Sequence, residues 1–436
     1  MLAFIISMYY ILYIAATAGF IHAFRIQPAP FLYTTSVVHQ KQNQRQHVIK
    51  FHHGRSSLEP LLLLSAIDQK QVQGRSEPTA DTSSVSSIYS LPALYDLAFG
   101  YRDYEGEVEF LFSKHMEIVG SSVPPKSILE IAAGPARHSI TALLLPLIID
   151  DESDDDGNIP DDSDSAVPAV YCIDTSTEMA SYAQQVLQDE MDQYESVIPY
   201  KETIQQKFQY QIADMRNFTL LQQQNKNQPI VVDTVWILLG SLQHMLTNTD
   251  VIDCFRCIYH VLATNDGTVF IELPHPREST FNIMECTRNG WKVPLVQQQE
   301  DESLNMLDND DDDEMDGTVA DGGELSIVWG DDGDIFDPIT QVRQFSICFD
   351  VSGLENDIGD INSSSDVNQQ KYSEALGSSI QQVVPMRLFT AQEIDALARC
   401  AGFEVVAMYG ALEHGVDVDD KDASYRLVCV LQKQSR

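Results

Sequence analysis

From Ser127 to Leu273 the chain alternates short apolar runs with longer segments whose apolar residues recur at helical spacing, and this rhythm limits the folds open to it. The runs "SILEI", "AVYCID", "FQYQIAD", "IVVDTVWILL" and "GTVFIEL" read as short buried strands. Between them, "ARHSITALLLPLII", "STEMASYAQQVLQDEMD" and "VIDCFRCIYHVLA" read as helices. Strand alternating with helix over this distance predicts a parallel sheet covered on both faces. A chain of 436 residues that is 44% hydrophobic can build the sizeable core such a sheet needs.

The rhythm has limits at both ends. Near Ser87, "SIYSLPALYDLAFGYRDYEGEVEFLFSKHMEIV" begins the fold with aromatic and apolar residues at helical spacing. Beyond Leu273 comes an irregular piece, then "GELSIVWGDDGDIFDPITQVRQFSICFDV", whose alternation and turn residues predict antiparallel strands, then a Ser/Asn-rich segment with loop composition. "TAQEIDALARC" predicts a helix with Thr390 as N-cap and Glu393 completing a capping box, followed by strands "FEVVAMYG" and "YRLVCVLQK". The expected organisation is a core over 87–273 with an acidic insertion at 150–166, an inserted cap over 274–385 with an acidic loop at 300–317, and a return to the core over 386–436.

The formal charge of −38 is concentrated in two runs, "DDESDDDGNIPDDSDS" from Asp150 and "EDESLNMLDNDDDDEMDG" from Glu300, with the composition of solvated loops. So few basic residues argue against a nucleic-acid partner. The first 24 residues carry no Lys, Arg, Asp or Glu and offer small residues at Ala18 and Ala23, as a secretory signal does; left uncleaved, they would be a membrane anchor. Residues 25–85 read as a leader rich in Arg, Lys, His, Gln and Ser. Signal followed by leader resembles the two-part plastid address of algae with complex plastids, the expected destination. Seven scattered cysteines suggest no disulfide framework, and the Cys254/Cys257 pair falls at helical, core-facing spacing rather than in a metal or redox motif. Asn217 and Asn362 begin glycosylation sequons and receive no role.

In an open parallel sheet, ligands bind beyond the carboxyl ends of the strands, so the small-residue turn after "SILEI" is the place to look. It reads Ala132, Ala133, Gly134, Pro135, Ala136, matches neither GxGxxG nor GxxxxGK[ST], and so argues against a nicotinamide dinucleotide. The residues resemble instead the class I S-adenosylmethionine-dependent methyltransferases. "LEIAAGPARHS" fits their first motif with Glu130 as the acid and Gly134 as the middle glycine, while Ala132 and Ala136 stand where glycine is frequent. Asp174, ending "YCID", falls where the family's acid takes the two ribose hydroxyls; its distance from Glu130 is about twice the roughly 20 residues expected, and the first acidic run fills the excess. "QIADMRNF" is similar to the third motif, with Asp214 toward the adenine amino group and Met215 on the ring, and "VDTVWILLGSLQHM" to the fourth, with Leu239 at the cofactor. The segment "YHVLATNDGTVFIEL" and the tail "RLFTAQEIDALARCAGFEVVAMYG" complete a resemblance running from about Tyr95 to Gln432, minus the acidic and Ser/Asn-rich insertions.

The resemblance implies an α/β fold: a Rossmann-like seven-stranded methyltransferase sheet with helices on both faces, plus an inserted antiparallel β cap and disordered acidic loops. It implies S-adenosyl-L-methionine as cofactor, a small-molecule substrate, no metal, and methyl transfer to an N, O or C nucleophile. Such a reaction asks the protein for proximity, exclusion of water and, for a protonated nucleophile, a base. His244, past strand four, is the candidate base. Tyr95, Tyr101, Tyr104 and Glu107 are candidates for a lid over the methyl group, with Tyr104 a second catalytic candidate. Arg387 is weighed as a partner for a substrate carboxylate against an ordinary ion pair, and Trp329, Phe336, Phe345 and Phe349 are expected in the cap over the substrate. The competing readings are a catalytically silent binding or assembly protein of the same fold, and an aminopropyl transferase, for which "LLGSLQHM" lacks the acids a polyamine would want.

Overall fold

The computed structural model describes residues 87–149, 167–221, 229–264, 266–277, 288–295, 323–352 and 379–434. They fall in one of the chain's two units, Ala80–Arg436; the other, Met1–Thr79, lies wholly outside them. The expected signal and leader, the acidic stretches 150–166 and 300–317, Cys286 and Asn362 also lie outside the described residues. Among the described residues no helix is long and apolar enough to cross a membrane.

Five strands run parallel: β1 (Ser127–Ile131), β2 (Ala169–Asp174), β3 (Phe208–Ile212), β4 (Thr234–Ile237) and β5 (Thr268–Pro274). The C-terminal β11 (Phe403–Tyr409) and β12 (Arg426–Lys433) complete a seven-stranded sheet of order β11-β12-β5-β4-β1-β2-β3, with β12 antiparallel to both neighbours. The chain moves outward from β1 to β3 and returns to β4 on the other side of β1. The crevice between the carboxyl ends of β1 and β4 is therefore the topological switch point, the place where such sheets bind ligands.

Helices cover both faces, as the alternation predicts. One core cluster joins the sheet to α2 (Tyr104–Val119), α3 (Arg137–Ile149) and α4 (Thr177–Gln193) through Val108, Phe110, Leu143, Tyr182 and Val186. The other joins it to α6 (Asn248–Val261) and α7 (Ala391–Cys400). Helix α6 presents Val251, Cys254, Phe255, Ile258 and Val261 to the core, one apolar stripe at helical spacing. Cys254 is fully buried within it, and the half-buried Cys257 donates its thiol to the Arg216 carbonyl at 3.4 Å. Thr390 caps α7 by accepting the Glu393 N–H, but the Glu393 carboxylate goes to Arg387 and Gln341, not back to the cap. Arg387 is thus a buried ion-pair member that also donates to Asn248 at 2.6 Å, and not a free carboxylate receptor.

The expected cap is a second, antiparallel sheet. It contains β6 (Gly290–Leu295), β7 (Gly323–Trp329), β9 (Val342–Ser352) and β10 (Ser379–Arg387) in the order β10-β9-β7-β6, with the short β8 (Phe336–Asp337) on β9. Its alternating inward residues Leu325, Ile327, Phe345, Ile347, Phe349 and Val384 pack on helix α1 (Pro92–Phe99) and the 3-10 turn Ile88–Ser90. Phe345 and Phe349, expected in the cap over the substrate, are core residues of this layer, buried because an isolated sheet must cover one face. Trp329 meets the ring of Phe99 edge-on at 5.3 Å, and the Trp291 indole N–H donates to the Ala98 carbonyl at 2.8 Å. Strands β6 and β10 and the short helix α5 (Lys201–Lys207) are elements the sequence reading passes over.

Candidate functional site

The turn after β1 is left-handed at three alternate residues: Ala132 (φ 53°), Gly134 (φ 53°) and Ala136 (φ 57°). The two alanines that depart from the glycine pattern therefore keep the backbone that glycine would adopt, at a local cost of about 1–2 kcal/mol each. Neighbouring strands hold the turn. The Ala133 N–H donates to the Ile173 carbonyl at 3.1 Å, the Gly134 N–H to Asp174 Oδ2 at 3.0 Å, and the Tyr210 hydroxyl to the Gly134 carbonyl at 2.7 Å. A Cβ on Gly134 would approach only Met179 Sδ, at 3.9 Å, so the face above the glycine is open to a ligand.

Asp174, half-buried at the end of β2, also accepts the Ser176 N–H on Oδ1 at 2.9 Å. A carboxylate has about four acceptor sites, so these two backbone bonds fix it while leaving room for two more donors. Glu130 is placed differently. It is 3% exposed, and its Oε2 accepts the Ser139 N–H at 3.2 Å and hydroxyl at 2.5 Å, beneath the start of α3. Burial pushes its carboxyl up, against the pull of His138 and Ser139. Its position is that of a support under the turn and not of a direct ligand.

Asp214, beyond β3, is also not free. Arg216 binds it through Nη2 at 2.6 Å, Nε at 3.0 Å and its own backbone N–H at 2.8 Å, which holds the carboxyl below the usual carboxylate range. Met215 is half-buried against the α6 cluster.

The turn after β4 supplies the opposite lip. Leu239 (φ 55°) and Gly240 (φ 73°) are both left-handed, and the Leu239 N–H donates to Glu272 Oε2 at 2.8 Å. His244 closes the following 3-10 turn, with Nε2 3.2 Å from the Tyr89 hydroxyl and its ring edge-on to Tyr89 at 5.7 Å. Burial lowers the imidazole pKa, with the Asp174 charge opposing, so His244 is neutral at neutral pH.

Tyr89 is the residue the sequence reading missed. Its carbonyl accepts from Ser176 Oγ at 3.3 Å beside Asp174 while its hydroxyl reaches His244, so it spans the switch point from β2 to β4. Burial, with Tyr95 and Asp174 nearby, pushes the phenol well above its ordinary value. Only the aromatic content of "SIYS" could have flagged it. Tyr95 stands 5.9 Å from Tyr89 and 4.7 Å from Phe99, continuing an aromatic roof. Tyr101 is 58% exposed and edge-on to Trp291.

Tyr104 does not join this group. Its hydroxyl donates to the Phe99 carbonyl at 3.3 Å and its ring meets His138 edge-on, a packing role set by its place at the first turn of α2. Glu107 likewise belongs to a buried network: its Oε2 accepts from Arg102 Nη2 at 2.9 Å and pairs with His138 Nε2 at 2.6 Å. The structure thus gathers Gly134, Asp174, Leu239 and His244, with Tyr89 and Tyr95, around the switch point. Among the described residues no cluster of three or more His, Cys, Asp or Glu side chains is placed to hold a metal ion.

No family model matches the chain, and no curated protein matches it. Similar solved structures include an S-adenosylmethionine-dependent methyltransferase from Clostridium acetobutylicum, at 11% identity and a TM-score of 0.47 over 78% of this chain and 96% of that one. Streptomyces venezuelae DesVI gives 14% identity and 0.45 over 80% and 99%. CalS10, an amino pentose methyltransferase from Micromonospora echinaspora, gives 13% and 0.43 over 78% and 95%.

Proposed function

We propose that the chain is an S-adenosyl-L-methionine-dependent methyltransferase acting on a nucleophilic N, O or C atom of a small metabolite. The observation that carries this reading is Asp174: a carboxylate fixed by two backbone N–H groups, with acceptor capacity left for a pair of hydroxyls, beside an open glycine turn at the switch point. Those features fit a nucleoside cofactor, which Asp174 would hold by its ribose with Gly134 and Leu239 flanking it. When bound, such a cofactor supplies a methyl group on a sulfonium that is already a good leaving group.

The residues of the chain then have three tasks. Tyr89, Tyr95 and Phe99 roof the crevice and keep water out. The neutral His244 accepts a proton at Nε2 from the Tyr89 hydroxyl, which takes the proton of the acceptor atom in its place. Tyr89 stays protonated because it is buried, so it can donate a hydrogen bond to the same region without becoming an anion.

Calorimetric titration of S-adenosylhomocysteine into the folded chain tests the cofactor; absence of binding would sink the proposal. His244→Ala is expected to leave that binding intact and to lower turnover on a true substrate by about 10²-fold or more. Because burial depresses the imidazole pKa, the acid limb of the wild-type rate profile should lie below the ordinary histidine value of about 6.5. The proposed destination is the plastid, reached through a secretory signal, on the composition of residues 1–85. A fluorescent fusion of residues 1–80 found elsewhere would end that part.

A further inference from the structure

Glu272 lies on β5, one strand beyond the crevice, and is 1% exposed. A carboxylate buried to that extent is tolerated only when its oxygens are satisfied. Its partners come from three directions. The Leu239 N–H reaches Oε2 at 2.8 Å, the Arg102 guanidinium forks onto both oxygens at 3.1 and 3.2 Å, and Arg426 Nε stands 3.2 Å from Oε1. Burial alone would push this carboxyl up, but Arg102, Arg426 and the Leu239 amide outweigh it and bring it down to about 2.

Two of these partners belong to parts of the proposed site that need holding. Leu239 carries a branched side chain at φ 55°, a conformation that persists only where the surroundings impose it. Glu272 imposes it twice, through its side chain and through its carbonyl, which accepts the Gly240 N–H at 3.2 Å. Arg102 sits between α1, which carries Tyr95 and Phe99, and α2, which carries Glu107. From Arg102 the contacts continue through Glu107 to His138, whose Nδ1 is 3.8 Å from Glu130 under the first turn. A continuous buried polar chain thus joins the turn after β4 to the turn after β1 by way of the N-terminal helices.

We propose that Glu272 is a positioning residue that binds the turn after β4 and the aromatic roof to one carboxylate, and so sets the shape of the crevice for the cofactor and its methyl acceptor. This rests on the methyltransferase reading for what the crevice holds, but not for the coupling itself. Glu272 acts through Leu239 and Arg102 and makes no contact with reacting atoms.

The test compares wild type, Glu272→Gln, Leu239→Gly and the double variant, by amide hydrogen exchange without ligand and by S-adenosylhomocysteine titration. Glu272→Gln should speed exchange at the Leu239 amide and across 88–104 together and weaken binding about tenfold, the scale of one strained left-handed residue. Leu239→Gly adopts the left-handed turn unaided, so in that background Glu272→Gln should cost little further affinity while 88–104 still becomes fast. Unchanged exchange in either segment, or an undiminished affinity loss from Glu272→Gln in the Leu239→Gly background, would overturn the coupling and leave Glu272 a plain core ion pair. If Glu272→Gln does not fold, Arg102→Lys keeps the charge but loses the fork; it should loosen 88–104 and spare the Leu239 amide, and no change in 88–104 overturns the proposal. A wild type that binds no S-adenosylhomocysteine defeats the methyltransferase reading alone, because the exchange measurements still decide the coupling.

Discussion

The strands β2 and β3 lie side by side, and each leads into an aspartate at its carboxyl end, yet the two acids are built for different work. Asp174 is gripped by backbone: the Gly134 and Ser176 amides fix its two oxygens and leave acceptor sites unused. Asp214 is gripped by a side chain, since Arg216 covers both its oxygens and extends to Asp250. A carboxylate preorganised by amides presents its remaining lone pairs to whatever arrives. One engaged in an exposed ion pair must first give up its arginine. Strand-end position nominates both residues, and the donors around each separate them.

The largest effect that would sharpen this contrast is on cofactor binding. Asp174→Ala should weaken S-adenosylhomocysteine by about 1.5–3 kcal/mol, the range for hydrogen bonds to a charged group, read by calorimetry. An equal loss from Asp174→Ala and Asp214→Ala would break the comparison. Next comes Gly134→Ala, which forces a third alanine into left-handed backbone where the new methyl meets only Met179. Thermal unfolding should show a loss of about 1–2 kcal/mol, from strain and not from a clash. A much larger loss would mean that the Gly134 amide no longer reaches Asp174.

What the sequence made legible follows the range of the interactions involved. Strands β1, β2, β4 and β5 and helices α4 and α6 are written in local periodicity, and the positions of Gly134, Asp174 and His244 follow from where β1, β2 and β4 end. The antiparallel character of β7 and β9 was legible for the same reason. Strand β10 was not, because its partner β9 lies across a Ser/Asn-rich segment and Pro385 within "SIQQVVPMR" argues against a strand interior. Tyr89 and Tyr104 show the limit at the site. Both are aromatics in one N-terminal stretch, and only the fold determines that Tyr89 reaches His244, 155 residues away, while Tyr104 turns back to Phe99. The Arg102 to Glu272 pairing spans 170 residues, with no pattern of residue types to announce it. Glu130 matched its motif, but whether its carboxylate would face a ligand or the Ser139 amide depends on the path of α3.

The smallest expected effect is at Asp214, and it is informative for that reason. Its side chain is 39% exposed and the Arg216 guanidinium 47% exposed, so the pair is screened by solvent and worth at most about 1 kcal/mol to the fold. Asp214→Ala should therefore change cofactor affinity by less than about 1 kcal/mol, because an acid already saturated by arginine contributes little to a new donor. The decisive companion is Arg216→Ala, which frees the carboxylate without moving it from the end of β3. If an adenine amino group does seek Asp214, Arg216→Ala should tighten S-adenosylhomocysteine binding, and Asp214→Ala in that background should remove the gain. If affinity does not respond to either change, the adenine is held by apolar contact beside Met215 and Asp214 serves only its own turn. The contrast with Asp174 then becomes one between a ligand-binding acid and a structural one.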